Sequence, residues 1–479
     1  MLFDIEVKMV EVGLISSSSV VIEHINSICR EFEYSTKSWP TLNDFMEAEP
    51  DCRVVIVCAS EKQGKISDNA AECCQVAKAM CNDAFVVCIV EKAVKRDQLP
   101  FLKKSGADLI LNDDQLIEMS KLEFLLTQEL KVKFIPFKLS EIRPDSEIDF
   151  HIYHLVPHRG KFLPCSQPGL LTSTHLKKLQ KISEFYINRR DLPKFRAYLE
   201  SRPVVSAKDL LSRCRIRFLS LCVAYAELVF LLTDQAELGS FERGTELLGQ
   251  CKALCSDLVS VVAEFDEVWD VIDQSAIGNL ASVERSTAVA TYIAVFGLRM
   301  NPEKVESAMV GALMSDIGLL FLNSKILKKM RAREPLLDAE YAQYIRHPMI
   351  SVDLALERKL QVDLDLRKMI SMTHERNDGK GFPDRPLGTR IPFESHLIQF
   401  CQELDARTLP ILGEFRRNPR HIRAEFVEEA ISDVDRFGAD FCQQLEKAWG
   451  TFNEETVRHP YSDDAENFVY DVLTRHIRK

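Results

Sequence analysis

The sequence predicts a multidomain chain in which an α/β domain with a parallel sheet is followed by a small α+β module and an all-helical C-terminal region. Three observations carry this. Short apolar runs alternate with amphipathic segments through the first 130 or so residues, the pattern of strands and helices in a doubly wound sheet. From Lys133 the texture changes to short β-like runs separated by Pro, Gly, Asp and Ser. From Ala207 apolar residues recur at helical spacing, as in Leu219, Val223, Leu228, Leu231 and Leu232. The chain has 479 residues, room for about three domains at roughly 150 residues each. The expected boundaries are 1–132, 133–204 and 205–479, the last with a helical core at 282–449.

In the first domain, Val10–Ile15, Val54–Cys58, Phe85–Val90 and Asp108–Leu111 read as buried strands. Between them, Val20–Arg30, Thr41–Glu47, Ala70–Met80, Gln98–Ser105 and Leu116–Leu130 read as helices. In the module, Phe134–Phe137, Asp149–Leu155 and Gly160–Pro164 read as strands, and helical patterning starts at Ser173, the expected N-cap. His151, His154 and His158 have no acidic or cysteine partner at ligand spacing, so they are not expected to hold a metal. Arg159, Lys161, Arg189 and Arg190 suit either an anionic ligand or a solvated rim. Ala207 to about Asp273 is expected to be helical throughout.

Hydrophobic residues make up 46% and charged residues 28% of the chain, a globular composition. Acidic residues outnumber basic ones, 72 against 61, for a net charge of -11. A protein that coats nucleic acid needs the opposite balance, so no nucleic acid polymer is expected as partner. No apolar run approaches the roughly 20 residues needed to span a bilayer, so no transmembrane segment is expected. The 14 cysteines are scattered, and close pairs such as Cys73–Cys74 and Cys251–Cys255 lack the further ligands of a zinc site. Reduced thiols in a cytoplasmic protein are the expectation.

The order and length of the first domain resemble a response-regulator receiver domain. Phosphoryl transfer there requires carboxylates at the C-terminal ends of the strands. This chain offers Ser16–Ser19 after the first strand, Ala59 and Ser60 after the next, and Asn112 where the resemblance implies a lysine. Asp113 and Asp114 suit the start of the last helix. A receiver-shaped docking or dimerisation module without phosphotransfer is the expectation. The following module, through "IPFKLSEIRPDSEIDFHIYHL" and "YINRRDLPKFRAYL", resembles the PilZ-like segment that precedes certain bacterial phosphodiesterase domains.

The region from Ser282 to about Trp449 contains "SDIG" at 315–318, "HPMIS" at 347–351, "THERNDGKGFPD" at 373–384, "IP" at 391–392 and "ELDARTL" from Glu403. In this order and spacing they resemble the HD-GYP domain, a helical metal-dependent phosphodiesterase of cyclic di-GMP, with Gly381-Phe382-Pro383 as the signature tripeptide. The resemblance implies two or three iron or manganese ions held by histidines and carboxylates. Several implied positions are occupied by the wrong chemistry: Ser315 for the histidine of the His-Asp doublet, Leu319 for a phosphate-contacting lysine, Arg285 for an upstream histidine and Gln402 for a late aspartate. Asp405 is retained, and the remnants Asp316, His347 and His374 could hold one iron or manganese ion. No catalytic residue and no cofactor are therefore expected; the other reading is a phosphodiesterase with a reduced metal site. Arg416 and Arg417 remain as candidate contacts for cyclic di-GMP, with surface ion pairs to acids such as Glu414 and Glu428 as their alternative. The Gly-rich loop Asn377–Asp384, expected to be exposed, suits recognition of other signalling proteins, diguanylate cyclases among them. Dimerisation through the middle helices is what the resemblance implies.

Overall fold

The computed structural model describes residues 10–58, 61–62, 65–66, 68–81, 84–91, 96–113, 120–130, 132–156, 161–180, 182, 184–235, 241–264, 282–408 and 419–452. The chain divides into two compact units, residues 1–198 with 230–238, and 199–229 with 239–479.

The first unit contains a parallel five-stranded sheet in the order Thr36–Trp39, Val10–Ile15, Cys52–Cys58, Phe85–Val90, Leu109–Asn112. This is a doubly wound order. Because side chains alternate along a strand, Val55 and Val57 enter one core with Phe45, Cys74 and Leu102, while Val54 and Ile56 enter the opposite core with Ile25, Leu125 and Leu126. The edge strand Thr36–Trp39 escapes the sequence pattern because only Trp39 of its four residues is buried. The helix Ser19–Glu31 starts where the Ser18 hydroxyl accepts from the Val21 amide, and Thr41 and Asp44 form a capping box on Leu42–Glu47. At the C-terminal end of the first strand sits Ser16, 4% exposed, whose hydroxyl accepts from the Ser18 amide. Ala59, Ser60 and Asp114 lie outside the described residues.

The same unit holds a four-stranded antiparallel sheet in the order Lys161–Ser166, Ile152–Val156, Phe185–Asn188, Phe134–Phe137, and a two-stranded ribbon of Gly169–Leu171 with Ser146–Ile148. Aromatic rings fill it: Phe134 stacks on Phe162 at 4.0 Å, and Phe150 packs edge-on to Phe195. The helix cap is Thr172, not Ser173: its hydroxyl accepts from the His175 amide. His151 does meet an acid, Asp191, at 3.9 Å, a pairing between residues too far apart in sequence for spacing to reveal. His154 lies in the strand Ile152–Val156, and His158 is outside the described residues. Arg189 pairs with the buried Glu129, 2% exposed, and donates to the Gln128 carbonyl, so it is a structural cation. Arg159 and the Lys161 side chain are outside the described residues.

The second unit is helical. The stretch expected to be continuous helix is broken: Ala207–Thr233 ends at Asp234, and a second helix runs Phe241–Glu264. One segment, Asp209–Thr233, is long and apolar enough to cross a membrane by composition, contrary to the reading of apolar runs, which stopped at each polar residue. Of its apolar window 67% is buried within the protein, as in a core helix. The helices that carry the candidate site are Ser282–Met300, Val305–Ser315, His347–Glu357, Leu364–Ser371 and Phe393–Thr408.

Candidate functional site

The site is assembled where four chain segments meet. Val305–Ser315 ends at Ser315 and passes through Asp316 into a 3-10 turn, Ile317–Phe321, that lies against the start of His347–Glu357. Gly318 makes that approach possible: a Cβ there would sit 2.0 Å from the His347 carbonyl oxygen. Ser351 locks it, accepting from the Gly318 amide and donating to the Ser315 carbonyl, both at 2.8 Å. His374 follows the helix Leu364–Ser371, and Thr373 is tied back to the Met369 carbonyl at 2.8 Å.

Asp316, His347 and His374 offer ligand atoms within 4.8 Å of one another, the one such group among the described residues. His347 Nδ1 lies 2.7 Å from the Tyr344 carbonyl, which can only accept, so this nitrogen carries the proton. Its Nε2 lies 3.5 Å from Asp316 Oδ1 and 3.0 Å from His374 Nε2. Burial, reinforced by His347 and Arg436, holds His374 well below the usual histidine range, so it is neutral. Tyr344 lies 4.9 Å ring to ring from His347, and Phe382 stacks on His374 at 4.8 Å. The tripeptide Gly381-Phe382-Pro383 is thus a wall of the site and not the free surface loop expected. Gly381 is buried against the Arg376 amide, where a Cβ would come to 2.4 Å, and the Phe382–Pro383 bond is cis. Lys380 and Asp384 are the exposed residues of this loop.

The remaining positions are held by contacts within the protein. Arg285 donates from Nε and Nη2 to the two oxygens of Asp405 at 3.0 and 2.5 Å, with side chains 7% and 3% exposed. Gln402, one turn before Asp405 on the same helix, donates from Nε2 to Ser315 Oγ at 3.1 Å and to Asp316 Oδ2 at 3.0 Å. Leu319 is buried apolar packing, 2% exposed. Arg285 does not face an anion from solution; its guanidinium is held by Asp405. Neither Arg285–Asp405, 120 residues apart, nor Gln402–Ser315 has a local sequence signal; only the i, i+3 spacing of Gln402 and Asp405 puts them on one helix face. Arg416, Arg417 and Glu414 lie outside the described residues, and it is Arg407 that binds Glu403 and Glu429, over the Phe426 ring.

One divalent ion fits Asp316, His347 and His374, which supply two nitrogens and a carboxylate and leave positions open. A bimetallic centre does not fit: Gln402 points amide hydrogens, and Arg285 a fixed positive charge, where a second ion needs lone pairs.

Residues 272–420 match the HD domain family. Over 130 residues the chain is 29% identical to the cyclic di-GMP phosphodiesterase response regulator RpfG of Xanthomonas campestris pv. campestris (strain 8004), a match covering 27% of this chain and 33% of that one. The chain thus spans about a third of the length of that relative. Among solved structures it resembles Bd1817, an HDG"Y"P protein from Bdellovibrio bacteriovorus, at 17% identity and a TM-score of 0.42, covering 66% of this chain and 99% of that one. Residues 272–420 thus form an HD-type domain, and the ordered motifs within them follow the HD-GYP resemblance.

Proposed function

We propose that this chain is a catalytically inactive HD-GYP signalling protein of bacterial signal transduction, acting as a protein-interaction scaffold or a cyclic di-GMP sensor. The observation that carries the reading is the buried Arg285–Asp405 ion pair, which puts a permanent cation where metal-dependent hydrolysis by paired ions would need a ligand field. In this reading residues 1–132 form a receiver-like domain without phosphotransfer and residues 133–204 a PilZ-like module. Ser16 in place of a carboxylate supports the first. The cyclic di-GMP link comes from the relative's activity. Partners, diguanylate cyclases among them, would dock on the outer rim of the loop at Lys380 and Asp384, since Phe382 faces His374.

The test is direct. Purified full-length protein with added manganese is assayed for cyclic di-GMP hydrolysis and titrated calorimetrically with the nucleotide. The expected result is no turnover; turnover abolished by Asp316→Ala sinks the reading, and saturable binding without turnover separates sensor from pure scaffold.

A second reading has a specific observation behind it: the convergence of Asp316, His347 and His374 supports a phosphodiesterase with one iron or manganese ion. Such an ion would polarise a phosphoryl oxygen and acidify its bound water. The chain's own contribution would be neutral His374, His347 oriented by the Tyr344 carbonyl, and the packed rings of Tyr344 and Phe382 beside them.

A further inference from the structure

We infer that the Arg285 guanidinium is a built-in replacement for a second metal ion, so that the HD domain assembles its site without that ion and can load at most one. This deepens the reading of the site as inactive, and concerns occupancy and assembly instead of turnover.

Three facts lead to it. Asp405, 2% exposed, is a carboxylate that burial would make very costly without a cation. Arg285 supplies that cation through two parallel hydrogen bonds, and in doing so ties Ser282–Met300 to Phe393–Thr408. One turn away Gln402 supplies a neutral donor to Asp316 Oδ2, so that oxygen has a hydrogen-bond partner from the protein itself. Its Oε1 is buried without a hydrogen-bond partner, so this amide is fixed by what it donates. A guanidinium is always charged and cannot be titrated away, so the substitution is permanent at any working pH. The two changes act together: Arg285 holds the charge that an ion would have supplied to Asp405, and Gln402 holds the hydrogen-bond geometry at Asp316 and Ser315.

Manganese chloride is the probe. Wild-type full-length protein, Arg285→His, and Arg285→His/Gln402→Asp are incubated with manganese, desalted and analysed for bound metal per chain by plasma mass spectrometry. The expected result is no more than one equivalent on the wild type and one additional equivalent on the double variant. Two equivalents on the wild type, or no gain by a double variant whose circular dichroism and cooperative melting match the wild type, overturn the inference. Should that variant not fold, melting decides: Arg285→Met is expected to melt about 10 °C lower, because Asp405 is left buried and unpaired. Arg285→Met/Asp405→Leu should recover most of that loss, and an unchanged melting temperature for Arg285→Met overturns the inference. Hydrolysis by a wild type carrying one equivalent would defeat the inactive reading and leave this one standing.

Discussion

Replacing Gly318 by alanine tests the assembly of the site at its tightest point. The new Cβ would lie 2.0 Å from the His347 carbonyl oxygen, 2.9 Å from its carbon and 3.1 Å from its Cα, where ordinary contact begins at 3.4 Å. The obstruction is backbone at the first residue of His347–Glu357, so no rotamer change relieves it. Overpacking of this kind costs about 1–3 kcal/mol. The shift also breaks the 2.8 Å bond from the Gly318 amide to Ser351 Oγ, about 1 kcal/mol more. The expected loss is therefore about 2–4 kcal/mol, or roughly 5–15 °C in melting temperature for a unit of this size. Gly249→Ala is the control: this exposed glycine lies inside Phe241–Glu264 with nothing within 4 Å of the added carbon, so it should gain about 0.5–1 kcal/mol. Urea titration and thermal melting followed by circular dichroism read both. Gly318→Ala within about 0.5 kcal/mol of wild type would refute the packing argument.

Further predictions concern charge and thiols. His396 is buried with Nδ1 unpartnered, and burial followed by Arg436 lowers its pKa to about 4. Because the folded value lies below the unfolded one, its contribution is intact above about pH 6.5 and is lost as pH falls toward 4, up to about 3 kcal/mol; His396→Leu should flatten urea stability over that window, and an unchanged slope would contradict the assignment. Arg189→Met should cost about 3 kcal/mol or more by leaving Glu129 buried without its partner, while a loss near zero in chemical denaturation would mean the pair is replaced by water. Burial pushes the Cys29, Cys214 and Cys251 thiols up to about 12, so iodoacetamide at pH 8 should label them only after denaturation; mass spectrometry showing rapid native labelling of Cys251 would contradict its burial.

Much of the frame was legible because it is written in local periodicity. Phe85–Val90 is a continuous apolar run and Val10–Ile15 is apolar except for Glu11 and Gly13, and both are strands at those limits. Other elements were hidden for physical reasons. Thr36–Trp39 is short and mostly polar because it lies at a sheet edge, and the break at Asp234 has no glycine or proline before it. The candidate site was legible as a list of residue types, not as an arrangement: Asp316, His347 and His374 stood out as remnants, but nothing local says that His374 meets His347 ring to ring or that Phe382 turns inward to stack on His374.

The sequence by itself determined the parallel α/β region, the helical HD region and which residue types stand at the motif positions, since residue type and spacing are properties of the chain. Only the tertiary structure decided what those positions do. Arg285 and Asp405 are 120 residues apart, and whether an arginine at that point repels an ion, waits for a phosphate or neutralises a buried carboxylate depends on which charge the fold places within hydrogen-bond reach. Here it is a carboxylate with no access to water, and that proximity makes the cation part of the core.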